Sequence, residues 1–142
     1  MLTYASVAQL AEHVSAEQLD KLDDGDDLRY IEEASCLVRA ATKNDRYETT
    51  PAGLPADPVA ADAMTVATCV QVREWITNAV NPLAGSAGLA PVAASASTNG
   101  SSISYQVTEQ AAARARLLEC LSDSAVRVLR AEGLASTAVA RR

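Results

Sequence analysis

Few side chains in this chain could carry covalent or acid–base chemistry. His13 is the only histidine, and the three cysteines, Cys36, Cys69 and Cys120, are far apart in sequence. A Ser or Cys nucleophile activated by imidazole would need His13 as its base, on a short N-terminal helix. No Cys/His grouping has zinc spacing. Three cysteines with no short spacing read as buried free thiols in a reducing compartment, because Cys packs as a small hydrophobe. The acidic run Asp23-Asp24-Gly25-Asp26-Asp27 fails as a calcium loop. With Gly25 at the sixth position, Asp20 and Asp24 fall at the first and fifth, but Leu22 and Ile31 take the third and twelfth, and neither can ligate. There is no Gly-rich phosphate loop and no dinucleotide fingerprint. Glu32-Glu33 and Arg73-Glu74 read as solvated charges or as pairs between subunits, and Trp75 and Tyr105 as packing anchors. The sequence assigns no catalytic residue, no cofactor and no metal, and it favours a binding or assembly role over an enzyme.

The elements that would position these residues are helical. The chain has 142 residues, the size of one domain. It is 49% hydrophobic, but 29 residues are alanine, three are isoleucine and none is phenylalanine. Ala, Leu, Glu and Arg favour helix, and scarce β-branched and aromatic residues argue against a sandwich, a barrel or an α/β sheet. The formal net charge is −6, and the acids crowd into the first 62 residues. Such a chain cannot neutralise phosphates as a whole, which argues against a DNA-binding regulator. Segments 109–121 and 123–132 could imitate a helix-turn-helix, but Arg127 and Arg130 supply too little charge for groove binding. The N-terminus lacks a secretory pattern, and no apolar run is long enough to span a membrane.

Along the chain, Ser6 predicts the cap of a helix reaching Val14, and Ser15…Gln18 has capping-box form. A helix from Asp26 to Thr42 should bury a stripe of Leu28, Ile31, Ala34, Val38 and Ala41. Residues 43–57 read as a loop. Asp57-Pro58 marks a strong helix start, and that helix should run to about Asn81. Its apolar residues cover nearly the whole circumference, so it must be buried all round. It is then either the centre of a monomeric bundle or a helix packed against a neighbouring subunit. Residues 83–102 carry no charge. With the Asn99-Gly100 turn dipeptide and the alternation of Ile103, Tyr105 and Val107, they predict a β-hairpin or extended arm over 83–107. Thr108 should cap a helix from Glu109 to Leu121, and Ser122 another. Glu132-Gly133-Leu134 reads as a helix stop. The expected architecture is an all-α bundle of four to five helices over residues 1–134, with the arm inserted after the long central helix. A flexible tail would follow over 135–142.

An ordered set of segments carries a resemblance: Ser6-Val7-Ala8-Gln9-Leu10-Ala11, then Ile31-Glu32-Glu33-Ala34-Ser35-Cys36-Leu37-Val38-Arg39, then Gly53-Leu54-Pro55-Ala56-Asp57-Pro58. They are followed by Ala67-Thr68-Cys69-Val70-Gln71-Val72-Arg73-Glu74-Trp75, the insert ending Ile103-Ser104-Tyr105-Gln106, and Leu129-Arg130-Ala131-Glu132-Gly133-Leu134. In this order the chain resembles the head-to-tail adaptor (connector) proteins of long-tailed bacteriophages, particularly those of actinobacterial hosts. The resemblance implies a small helical virion protein, assembled in the host cytoplasm. Its copies would form a dodecameric ring under the portal vertex and bridge the portal protein to a stopper or tail-completion protein. The genomic DNA would pass through the channel without sequence-specific binding, and no membrane would be involved. Val66, Val70, Trp75, Ile76, Ile103 and Tyr105 are the candidate subunit-interface residues. Leu134, Val139, Arg141 and Arg142 are the candidate portal contacts. The alternatives are another neck or tail-completion protein, or a small cytoplasmic helical regulator acting through protein–protein contact.

Overall fold

The N-terminal helix begins where Ser6 accepts a hydrogen bond from the Gln9 backbone while the Gln9 side chain accepts from the Ser6 N–H. That reciprocal box starts α1 (Val7–His13). Ser15 caps α2 (Ala16–Leu19) in the same position. A turn through Gly25, held at φ 84, leads into α3 (Asp26–Ala41), whose first-turn acids suit the positive end of the helix dipole. Asp57 accepts from the Val59 N–H and Pro58 fills the first helical position, opening α4 (Pro58–Thr77). Then follow α5 (Gly100–Glu119) and α6 (Asp123–Ala131). The computed structural model describes residues 2–84 and 100–135. Among these no strand forms; an isolated bridge joins Thr49 and Pro55 in the 43–57 loop, and Val80 is a further single bridge residue.

Helix α4 is the central helix of a bundle formed by one chain. Helices α1, α2, α3 and α6 pack around it. Eleven of its 20 residues are buried, including Met64, Gln71 and Trp75. The chain's own helices cover most of α4, although Val59 stays 54% exposed and Val66 half-buried. Two apolar clusters result. One joins Tyr4, Val38, Met64, Ala67, Leu129 and Leu134. The other joins Leu10, Tyr30, Ile31, Val72, Trp75 and Val80. The entering strand of chain is pinned between them: the Tyr4 N–H donates to Ser35 Oγ at 3.1 Å, and Thr65 Oγ1 donates to the Tyr4 carbonyl at 2.6 Å.

Three expectations need correction. Ile103, Tyr105 and Val107 do not form a strand; their backbone belongs to α5, which starts eight residues ahead of Thr108. Ile103 and Val107 are spaced by four as well as alternating, so they fit a helical period too. Once the Ala- and Leu-rich segment 109–119 is helical, extending it adds one hydrogen bond per residue, whereas a lone hairpin is marginal. The rest of the expected arm, residues 85–99, lies outside the described residues. Leu28 leaves the α3 stripe and is 47% exposed, because the buried position at that level belongs to Tyr30. Of the three thiols only Cys69 is buried, while Cys36 and Cys120 are exposed.

The helix stop expected at Gly133 is real, whereas α4 ends at Thr77, four residues short of the expected Asn81. Gly133 adopts φ 76, its N–H donates to the Arg130 carbonyl, and the Leu134 N–H reaches back to the Leu129 carbonyl at 2.9 Å. Helix α4 ends the same way without a glycine. Ala79 takes φ 54, and the Val80 N–H bonds the Trp75 carbonyl at 2.8 Å while Val80 packs inward.

Candidate functional site

Among the described residues the most elaborate polar arrangement sits where α5 turns into α6. Gln71 stands in the apolar run Val70-Gln71-Val72 and is fully buried. Its Nε2 donates to the Leu117 carbonyl at 3.3 Å, and its Oε1 accepts from the Ser122 N–H at 2.7 Å. Trp75 Nε1 donates to the same Leu117 carbonyl at 2.6 Å, and Tyr30 meets the indole edge-on with ring centroids 6.1 Å apart. Ser122 in turn caps α6 by accepting from Ala125. Arg114 closes the other side, donating at 3.1 Å to the carbonyls of both Asn78 and Ala79. A cation at those carbonyls also suits the negative end of the α4 dipole. The corner therefore fixes how α5 leaves the bundle. Leu117 and Leu118 pack on the core, while Glu109, Ala111, Ala112 and Ala113 are exposed. A cleft of about 270 Å³ runs beside the corner, with Glu74, Arg114, Arg116 and Asp123 on its walls.

The corner uses few of the predicted interface residues. Trp75 is 1% exposed, Val70 5% and Ile76 7%, all inside the chain's own core. They are spent on folding the monomer, because α4 is covered by neighbouring helices of the same chain. Val66 is half-buried and lines a shallow groove of about 440 Å³ with Val59, Asp62 and Val128. Ile103 and Tyr105 lie on the backbone of α5. Leu134 is 6% exposed and seals one core cluster, so its side chain is taken up by the domain itself. Ala135 is also buried, and its N–H donates to Asp45 Oδ2 at 2.6 Å, so the packed core includes at least one residue past 134. Val139, Arg141 and Arg142 lie outside the described residues. Sequence reasoning missed Gln71 and Arg114. A glutamine inside a run of buried valines was the available signal, since a buried amide must find partners.

The reactive groups are muted. Burial pushes the Cys69 thiol up to about 11, with the nearby Glu12 carboxylate adding to the shift, so it stays protonated and unreactive. Burial likewise raises the Tyr4 hydroxyl to about 12, helped by Tyr47. Among the described residues no cluster of three or more His, Cys, Asp or Glu side chains could hold a metal. No described helix is long and apolar enough to cross a membrane. No protein-family model, curated protein or solved structure matches this chain.

Proposed function

We propose that this chain is a structural subunit of a bacteriophage neck. It would be a head-to-tail adaptor whose copies form a ring, dodecameric to match the portal, beneath the portal vertex of the virion. The ring joins the portal protein to a stopper or tail-completion protein and lines part of the channel for the genomic DNA. The role is one of assembly rather than catalysis. One observation carries the reading beyond the ordered sequence resemblance. Helix α5 is 20 residues long and is locked to the bundle at its C-terminal end by Gln71, Trp75 and Arg114. Its exposed Glu109 and Ala111 to Ala113 leave a helix face uncovered by the other described residues, as a subunit that docks on others requires. The acidic balance suits a channel through which DNA slides without sticking. With Leu134 committed to the core, the portal contact at the C-terminus falls to Val139, Arg141 and Arg142.

The test is to mix the purified chain with the portal protein encoded in the same genome and image the product by negative-stain electron microscopy. A second ring stacked under the portal ring is the expected result. Free portal rings beside unbound chain, at concentrations well above micromolar, would overturn the reading.

A further inference from the structure

The charges of this chain are sorted to the two ends of α3. Ahead of the helix and in its first turn stand Glu17, Asp20, Asp23, Asp24, Asp26 and Asp27, against Lys21 and Arg29. At the other end stand Arg39, Lys43 and Arg46, all exposed, with Asp45 and the exposed Glu48 among them, so this end is only weakly basic as a whole and its positive charge is local to Arg39 and Lys43. The helix is 16 residues long, so these groups are separated by roughly 24 Å at 1.5 Å per residue. The helix dipole accounts for Asp26, Asp27 and Arg39. It does not account for the acids before the helix or for Lys43 and Arg46 after it.

The basic end is also concave. A groove of about 590 Å³ is lined by Cys36, Arg39, Lys43, Asp45, Tyr47 and Thr49. Asp45 is engaged by the Ala135 N–H, and Arg39, Lys43 and Arg46 form no ion pair among the described residues. At the acidic end, exposed Asp20, Asp23 and Asp24 lie close in sequence to Leu28, one of the few large apolar side chains left exposed among the described residues. Within one chain the two ends are too far apart to meet.

We infer that the basic groove at the C-terminal end of α3 receives the acidic turn around Asp23 and Asp24 of a second copy of this chain. The carboxylates pair with Arg39 and Lys43, and Leu28 covers the apolar wall formed by Tyr47 and Cys36. Because the two patches differ, the contact is head-to-tail. Such contacts close into a ring when the rotation between copies permits, and otherwise build an open chain. The inference deepens the ring reading above and rests on it for closure.

Cys36 inside the groove supplies the test. In a Cys120→Ser background, Lys21→Cys places a second thiol beside the acidic turn of the full-length chain and leaves its carboxylates in place. A short bismaleimide is added at low ionic strength, both to the concentrated chain alone and to its mixture with portal. The expected result is a ladder of covalent dimers and higher species in at least one of the two samples. Adding Arg39→Glu and Lys43→Glu should abolish the ladder. Adding Asp20→Lys and Asp23→Lys to that variant should restore it, which a folding defect could not imitate. High salt should weaken it, as charge screening requires. Crosslinking no greater than that of an Ala112→Cys control in both samples would overturn the inference. So would a ladder that ignores the charge reversals. A charge-dependent ladder without portal binding would keep the inference and remove the neck reading. Portal-bound rings without the ladder would do the reverse.

Discussion

The indole N–H of Trp75 points at the backbone carbonyl of Leu117, 2.6 Å away, and so joins the middle of the bundle to the last turn of α5. The Leu117 carbonyl lies near the C-terminus of α5, where helix carbonyls lack intrahelical partners. Trp75→Phe would keep most of the packing and remove this donor. We expect a loss of about 1–2 kcal/mol, the scale of one buried hydrogen bond. Trp75→Ala should cost roughly 3–5 kcal/mol, because it also opens a cavity. Urea denaturation followed by circular dichroism checks both. A Phe variant as stable as the parent would show that the hydrogen bond carries no net weight.

Gln71 satisfies two backbone groups of the α5–α6 corner at once. Gln71→Leu fits the volume but strands the Ser122 N–H and weakens the hold on Leu117. Each buried group left unpaired costs about 1–3 kcal/mol, so the loss should exceed that of Trp75→Phe. Amide hydrogen exchange should show Ser122 losing protection more than α1 or α3. Uniform loss across all helices would mean that Gln71 supports the core in general and not this corner.

Ala79 closes α4 in the left-handed region at φ 54, where an L side chain is strained. Glycine there removes the strain at the expense of unfolded-state entropy. Ala79→Gly should therefore raise stability by about 0.5–1 kcal/mol. A lower melting temperature would contradict this.

The pH dependence follows from Cys69 and Tyr4. Both have folded-state values above their ordinary ones, near 11 against 9.0 for Cys69 and near 12 against 10.0 for Tyr4. The folded chain therefore holds protons that the unfolded chain would release. The stability linked to these groups is complete below pH 9 and is lost as pH rises through 11 and 12. Thermal melts between pH 8 and 12 should fall in that window. In the native protein at pH 8, iodoacetamide should modify Cys36 and Cys120 and spare Cys69. Rapid labelling of Cys69 before unfolding would contradict its burial.

Several helix boundaries were written locally and could be read locally, although the end of α4 and the start of α5 were not among them. Ser6, Ser15, Asp57-Pro58, Ser122 and Gly133-Leu134 each punctuate the chain through their own backbone chemistry, and each does so in the structure. What covers α4 was not local. Periodicity showed that every face was apolar but could not tell a neighbouring helix from a neighbouring subunit, so Val70, Trp75 and Ile76 were assigned to an interface that the bundle itself fills. Ile103 and Val107 fitted two periods, and the helix beside them decided the outcome. Leu28 lost its place in the buried stripe to Tyr30, whose ring meets Trp75 in a tertiary contact. The α5–α6 corner was half visible: Gln71 was conspicuous among valines, but Leu117 and Ser122 lie 46 and 51 residues away.

If this chain builds a ring in a virion neck, a cryo-electron microscopy map of the neck from the virion encoded by the same genome should show it. Twelve copies of the bundle are expected directly beneath the portal, with α5 reaching a neighbouring copy or the portal. A neck whose density under the portal is built by a different polypeptide, with this chain absent from the purified virion by mass spectrometry, would contradict the neck reading.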